Sequence, residues 1–345
     1  MNYLIYITMF GAMCSALMII AFRPALQEWR HPTDLQPLPV LTDDAIDIDF
    51  FAERFRREAM AFMDNRLARN KNEFAFTAAE PGRTGWGTVA APLISTQSIS
   101  SDTPINCKFP IFVDGNVDAT ASNQLVALYA LGAATLGPAT DISEWAHAEE
   151  TFFLGAASHA SRRISSATAV ELANECTFER ISAPVIRFGQ RRRNELRPER
   201  GQLTEASFGT LPRAVQRTDQ LVLIRGDCTL PAESIYRESL IVTGKLSVGK
   251  GTRVIGNVKA RKGIVIEPNA LIGGALICES QIQIQENAMI NGPVISESTI
   301  TIENNVTIGE FGLPTTISAE RIVVQSGVVT HGAVWARNVG LVWES

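Results

Sequence analysis

Short runs of alternating apolar and polar residues recur along the C-terminal half of the chain. LSVGKGTRVIG begins at Leu246, IVIEPNALIGG at Ile264, IQIQENAMING at Ile282 and ITIENNVTIGE at Ile300, each eighteen residues after the last. Leu246, Ile264, Ile282 and Ile300 share one position, and Val248, Ile266, Ile284 and Ile302 share another two residues on. Each such pair points to one face of a short strand. Gly251, Asn269, Asn287 and Asn305 follow, residue types that accept a left-handed corner, and Val254, Ile272, Ile290 and Ile308 open a second apolar step. A weaker fifth copy, IVVQSGVVTHG, starts at Ile322 after an insertion around Glu310 to Pro314. A fixed register of this kind predicts a coil in which each strand pairs with its counterpart one turn later, about 4.8 Å away. Five copies rise roughly 20–25 Å around a stacked aliphatic interior. A β-sandwich requires no such period.

The upstream pattern is fainter. FPIFVDGNVDA, ALYALGAATLG and the segments that follow also alternate small or apolar residues with turn formers. Residues 85–189 are therefore expected to form further, irregular solenoid turns, with a distinct small domain as the alternative. Residues 190–218 interrupt the repeats as a basic insertion loop, and 219–345 form the regular β-helix. Arg191, Arg192, Arg193, Arg197 and Arg200 make the strongest local basic cluster. Such a loop is either solvated surface or a dock for an acidic partner or an anionic membrane surface. Trp335 and Trp343, in the apolar C-terminal segment, join these arginines as candidate partner-binding residues.

Residues 1–22 carry no charged side chain. As a helix they would span ~33 Å, enough for a bilayer core, so a transmembrane helix is expected. Every Lys and Arg lies C-terminal to it, which places the N-terminus outside and the body in the cytoplasm of a single-pass inner-membrane protein. Gly11 and Ser15, four apart, are a candidate seam for packing against another membrane helix. Residues 23–75 begin with a tether containing Pro24, Pro32, Pro37 and Pro39 and continue as an amphipathic helix. Its stripe of Phe51, Phe55, Ala59, Phe62, Met63 and Leu67 would cap an open solenoid end or lie on the membrane, and its mixed charge favours capping.

Charge and cysteine usage narrow the function. A net charge of −5 argues against nucleic acid as a partner. Cys14, Cys107, Cys176, Cys228 and Cys278 are odd in number with no CxxC pair, so reduced thiols are expected rather than a disulfide framework or a zinc site. The rival reading is an acyltransferase of the hexapeptide-repeat kind, with His147, His159 or His331 as general base. Its six-residue rhythm is not sustained here. No catalytic residue, cofactor or metal ligand is assigned.

The stretch from Leu240 to Ile302, with its short strands and its Gly256-Asn-Val258 and Gly274-Ala-Leu276 steps, resembles the bactofilins, polymer-forming cytoskeletal proteins of bacteria. The resemblance implies a right-handed β-helix, assembly without nucleotide and a role in organising envelope or morphogenetic machinery. The chain departs from that pattern in its long upstream region, its apolar N-terminal segment and its Trp-bearing C-terminus, which put homopolymerisation in question. The expectation is thus an all-β, membrane-anchored β-solenoid scaffold. It would work by self-assembly or by docking another envelope protein, and an accessory subunit of a membrane complex is the alternative.

Overall fold

The computed structural model describes residues 48–64, 77–78, 85–189 and 203–344, together with Tyr3, residues 5–15, Leu17 and Arg23. The chain divides into two units, Met1–Asp47 and Ile48–Ser345. In the first, the described residues are helical, and Gly11 and Ser15 are exposed. The expected transmembrane helix is not borne out: among the described residues no helix is long and apolar enough to cross a membrane. The proline-containing tether and Arg191, Arg192, Arg193, Arg197 and Arg200 lie outside the described residues.

The second unit is a right-handed-like β-solenoid of about 13 turns. It is built as two stacks of three-sided turns that meet end to end. The first stack climbs from Leu93–Ser95 to Thr177–Phe188, its strands pairing in parallel one turn apart. The second climbs from Leu221–Ile224 to Val328–Trp343 in the same manner. Their last turns face one another. Thr177–Phe188 pairs antiparallel with Val328–Trp343 along all three sides, with Phe188 opposite Val328, Ile181 opposite Val334 and Phe178 opposite Gly340.

That junction leaves the interior unbroken. One column runs Leu93, Ile111, Leu128, Ala146, Ile164 and Ile181, crosses to Val334, and continues through Ile317, Val294, Leu276, Val258, Leu240 and Val222. All are buried in a single cluster. At strand spacing this column is roughly 60 Å long.

Corners repeat with the turns. Gly251, Asn269, Asn287 and Asn305 take the left-handed conformation expected of them, at φ 68, 61, 58 and 57°. In the first stack the equivalent corners fall on Ser122, Ala139, Ala157 and Glu175. The residues after these corners point inward, and there Asn123, Thr140 and Ser158 form a buried polar column. Asn123 Nδ2 donates to Thr140 Oγ1 at 2.9 Å, and the Thr140 amide donates to Ser158 Oγ at 3.0 Å. Each buried polar group is thereby paired, as burial demands.

Both outer ends are covered. On the first stack, Thr77–Ala78 adds to the first side, and Trp86 and Val89, at a short 3-10 turn, pack against the core. On the second, residues 203–218, grouped in the sequence with the basic loop, form a cap. Ala214–Thr218 folds back antiparallel on Leu221–Ile224, and fully buried Phe208 stacks on Tyr236 at 4.3 Å.

Helix α1, Phe50–Met63, does not cap an end, and Leu67 of the expected stripe lies outside the described residues. It lies along one side of the first stack. Its buried residues are Ala52, Phe55 and Ala59, which pack on the outward-facing Ile94, Phe112 and Tyr129. The apolar stripe is rotated from the one expected, so that Phe51 is half-exposed at the helix margin.

Candidate functional site

Where α1 meets the stack, a groove of about 700 Å³ opens along successive turns. Phe51, Arg54 and Phe55 supply the helical wall. Glu144-Trp145, Arg162-Arg163 and Glu179-Arg180 supply the floor, each pair one turn above the last. Strand pairing places Trp145, Arg163, Arg180 and Trp335 in one outward row that crosses the junction.

The row brings cations against aromatic faces. Arg163 lies over the Phe51 ring at 4.7 Å, and Arg180 over Trp335 at 4.3 Å. Such contacts hold guanidinium planes flat while leaving their edges for ligands. Arg162 pairs with Glu144 at 3.5 Å. Arg163 has no such carboxylate, and its buried Nη1 finds no hydrogen-bond acceptor among the described residues. Burial, then the charges of Arg180 and Arg162, push its guanidinium pKa down. The floor therefore holds uncompensated positive charge beside flat apolar surface, and an anionic group entering it would satisfy Arg163. Trp335, singled out from sequence, belongs to this row. Trp343 pairs with Gln325 on another side and is exposed.

The three histidines weighed as general bases are not brought together. His159 sits exposed and bonds Thr177 Oγ1 through Nδ1. His331 Nδ1 lies 2.9 Å from the Pro184 carbonyl at the junction, edge-on to Phe311. His147 is buried beneath α1, stacked on Tyr129 at 4.9 Å, with Nδ1 2.8 Å from Ser165 Oγ. Burial holds its pKa below the ordinary imidazole value, against the pull of Glu149, Asp49 and Glu53. Sequence reasoning assigned no metal ligands, yet Glu53, His147 and Glu149 converge here. The groove arginines also escaped it, because their pairing depends on which residues face outward one turn apart.

Compared with known proteins, the chain matches no family model, no curated protein and no solved structure.

Proposed function

We propose that this chain is a bactofilin-like scaffold that works as a discrete rod instead of a growing filament, and that it organises partner proteins along its sides. The observation that carries the reading is the aliphatic column from Leu93 to Val222, continuous through the antiparallel junction. A stack so built is stiff and presents outward side chains at fixed spacing, which is what a scaffold needs. End-to-end growth requires free terminal turns. Here two ends are joined within the chain, and the other two are covered by Trp86 and by the Phe208 cap.

The outward row of Trp145, Arg163, Arg180 and Trp335 is the docking strip in this reading, and an acidic segment of a partner protein is its ligand. Charge decides the class: Arg163 lacks an anion, and the row carries flat stacking faces. The resemblance points to envelope or morphogenetic machinery as the setting.

Negative-stain microscopy and light scattering on the purified full-length chain test the proposal. Single rods of uniform length, unchanged with protein concentration, are expected. Filaments that lengthen with concentration would refute the discrete-rod reading, and saturable binding of an acyl-coenzyme A with turnover would refute the scaffold reading itself.

A further inference from the structure

A ring nitrogen of His147 and carboxylate oxygens of Glu53 and Glu149 lie within 4.8 Å of one another. The three come from separate places: Glu53 from the first turn of α1, His147 and Glu149 from the end of one solenoid side and the turn after it. His147 is 3% exposed, and its Nδ1 is committed to Ser165 Oγ. Its Nε2 is buried with no partner among the described residues. A buried ring nitrogen with no partner is costly, and two carboxylates lie within reach of the same imidazole.

We propose that Glu53, His147 and Glu149 bind one divalent transition-metal ion, zinc being the ion that best suits the donor set, and that this ion pins α1 to the solenoid. One imidazole with two carboxylates suits zinc, whereas calcium and magnesium favour oxygen donors alone. Outer partners of the kind that orient metal ligands are already in place. Ser165 fixes the His147 ring, and the Tyr129 hydroxyl donates to Glu149 Oε1 at 2.5 Å. Entry is open, because the Glu53 and Glu149 side chains are 42% and 28% exposed. Zinc ligands sit roughly 3.3 Å apart in a tetrahedron with ~2 Å bonds, so the ion draws α1 inward.

Arg56 is the competitor. Its Nη1 lies 3.2 Å from Glu149 and 3.7 Å from Glu53, supplying positive charge to the same carboxylates. Metal must displace that guanidinium, and removing it frees both ligands.

The test is calorimetric titration of the full-length, chelator-stripped chain with zinc chloride, with magnesium chloride as control. One equivalent of zinc is expected to bind at least tenfold tighter than magnesium. Glu53→Gln, on a partly exposed helix position that does not endanger the fold, is expected to weaken it at least tenfold, and Arg56→Gln to tighten it. Zinc is also expected to slow proteolysis within α1 in the wild type and not in Glu53→Gln. Failure to bind one equivalent, or binding that Glu53→Gln leaves unchanged, would overturn the proposal. The second outcome would place the ion elsewhere, on His159, His331 or the thiols.

Discussion

Phe178 of the first stack lies directly opposite Gly340 of the second, and its ring occupies the space a Cβ at position 340 would need. Both residues belong to the last turns of their stacks, so the junction that makes one rod of two coils depends on a glycine. Gly340→Val forces the buried Phe178 ring aside, and overpacking of this kind costs about 1–3 kcal/mol. A lowered thermal midpoint is expected, with protease sensitivity appearing first in residues 177–188 and 328–343. An unchanged midpoint would mean that the junction tolerates slack.

How much of this was readable in the sequence differs between the stacks for a physical reason. In the second stack the left-handed corners from Gly251 to Asn305 carry Gly or Asn, and the residues behind the last three, Ala270, Ala288 and Val306, are apolar. Corner and interior therefore both advertise the period. The first stack places Ser122, Ala139 and Ala157 at the same corners and buries Asn123, Thr140 and Ser158 behind them. Its turns also vary between 16 and 18 residues, as from Ala169 to Val185, from Ile111 to Leu128 and from Leu128 to Ala146. The tail-to-tail junction left no local trace, since Ile181 and Val334 meet only through tertiary pairing. The groove and the Glu53, His147 and Glu149 cluster were hidden in the same way. The apolar N-terminal run gave a strong signal that the described helical residues do not support.

The corner residues yield a paired prediction. Asn287 at φ 58° holds a conformation that Asn tolerates, so Asn287→Ala is expected to destabilise by about 1 kcal/mol. Ala157 at φ 53° already bears that strain. Ala157→Gly relieves it at some cost in chain entropy, for a net gain of roughly 0.5 kcal/mol. Opposite shifts of the denaturation midpoint are expected, and shifts of the same sign would count against the corner assignment.

Ile284 sits in the inward column between Ile266 and Ile302, fully buried. Ile284→Asp places a charge there with no partner and is expected to cost more than about 4 kcal/mol. Loss of the β-type circular dichroism of the second stack is the outcome sought. Full retention of the spectrum and midpoint would contradict a closed aliphatic interior.

Helix α1 is held to the stack chiefly through Phe55, which meets Trp145 edge-on at 5.5 Å and Phe112 at 6.5 Å. Phe55→Ala removes about 3 kcal/mol or more of packing from this one contact. The helix is expected to detach while the solenoid persists. Hydrogen exchange should speed up across residues 50–63 with the β-sheet amides unaffected. Equal acceleration in both would show that the stack needs its helix to fold.

The last prediction concerns the thiols. Burial pushes Cys176 and Cys228 from an ordinary value near 9 up to about 11. In the unfolded chain these groups ionise first, so above pH 9 the unfolded state holds fewer protons and stability falls with rising pH. The stabilisation is complete below pH 9 and is lost between about 9 and 11. Buried Tyr129 and Tyr236 are also raised and add to the same slope. Denaturation midpoints should therefore drop between about pH 9 and 11, and the Cys176→Ala/Cys228→Ala double variant should show a shallower drop. At pH 8 both thiols are expected to resist alkylation in the folded chain and to react on unfolding. Rapid native labelling of Cys176, whose Sγ lies 3.1 Å from the Gly155 carbonyl inside the first stack, would contradict the burial on which the sign depends.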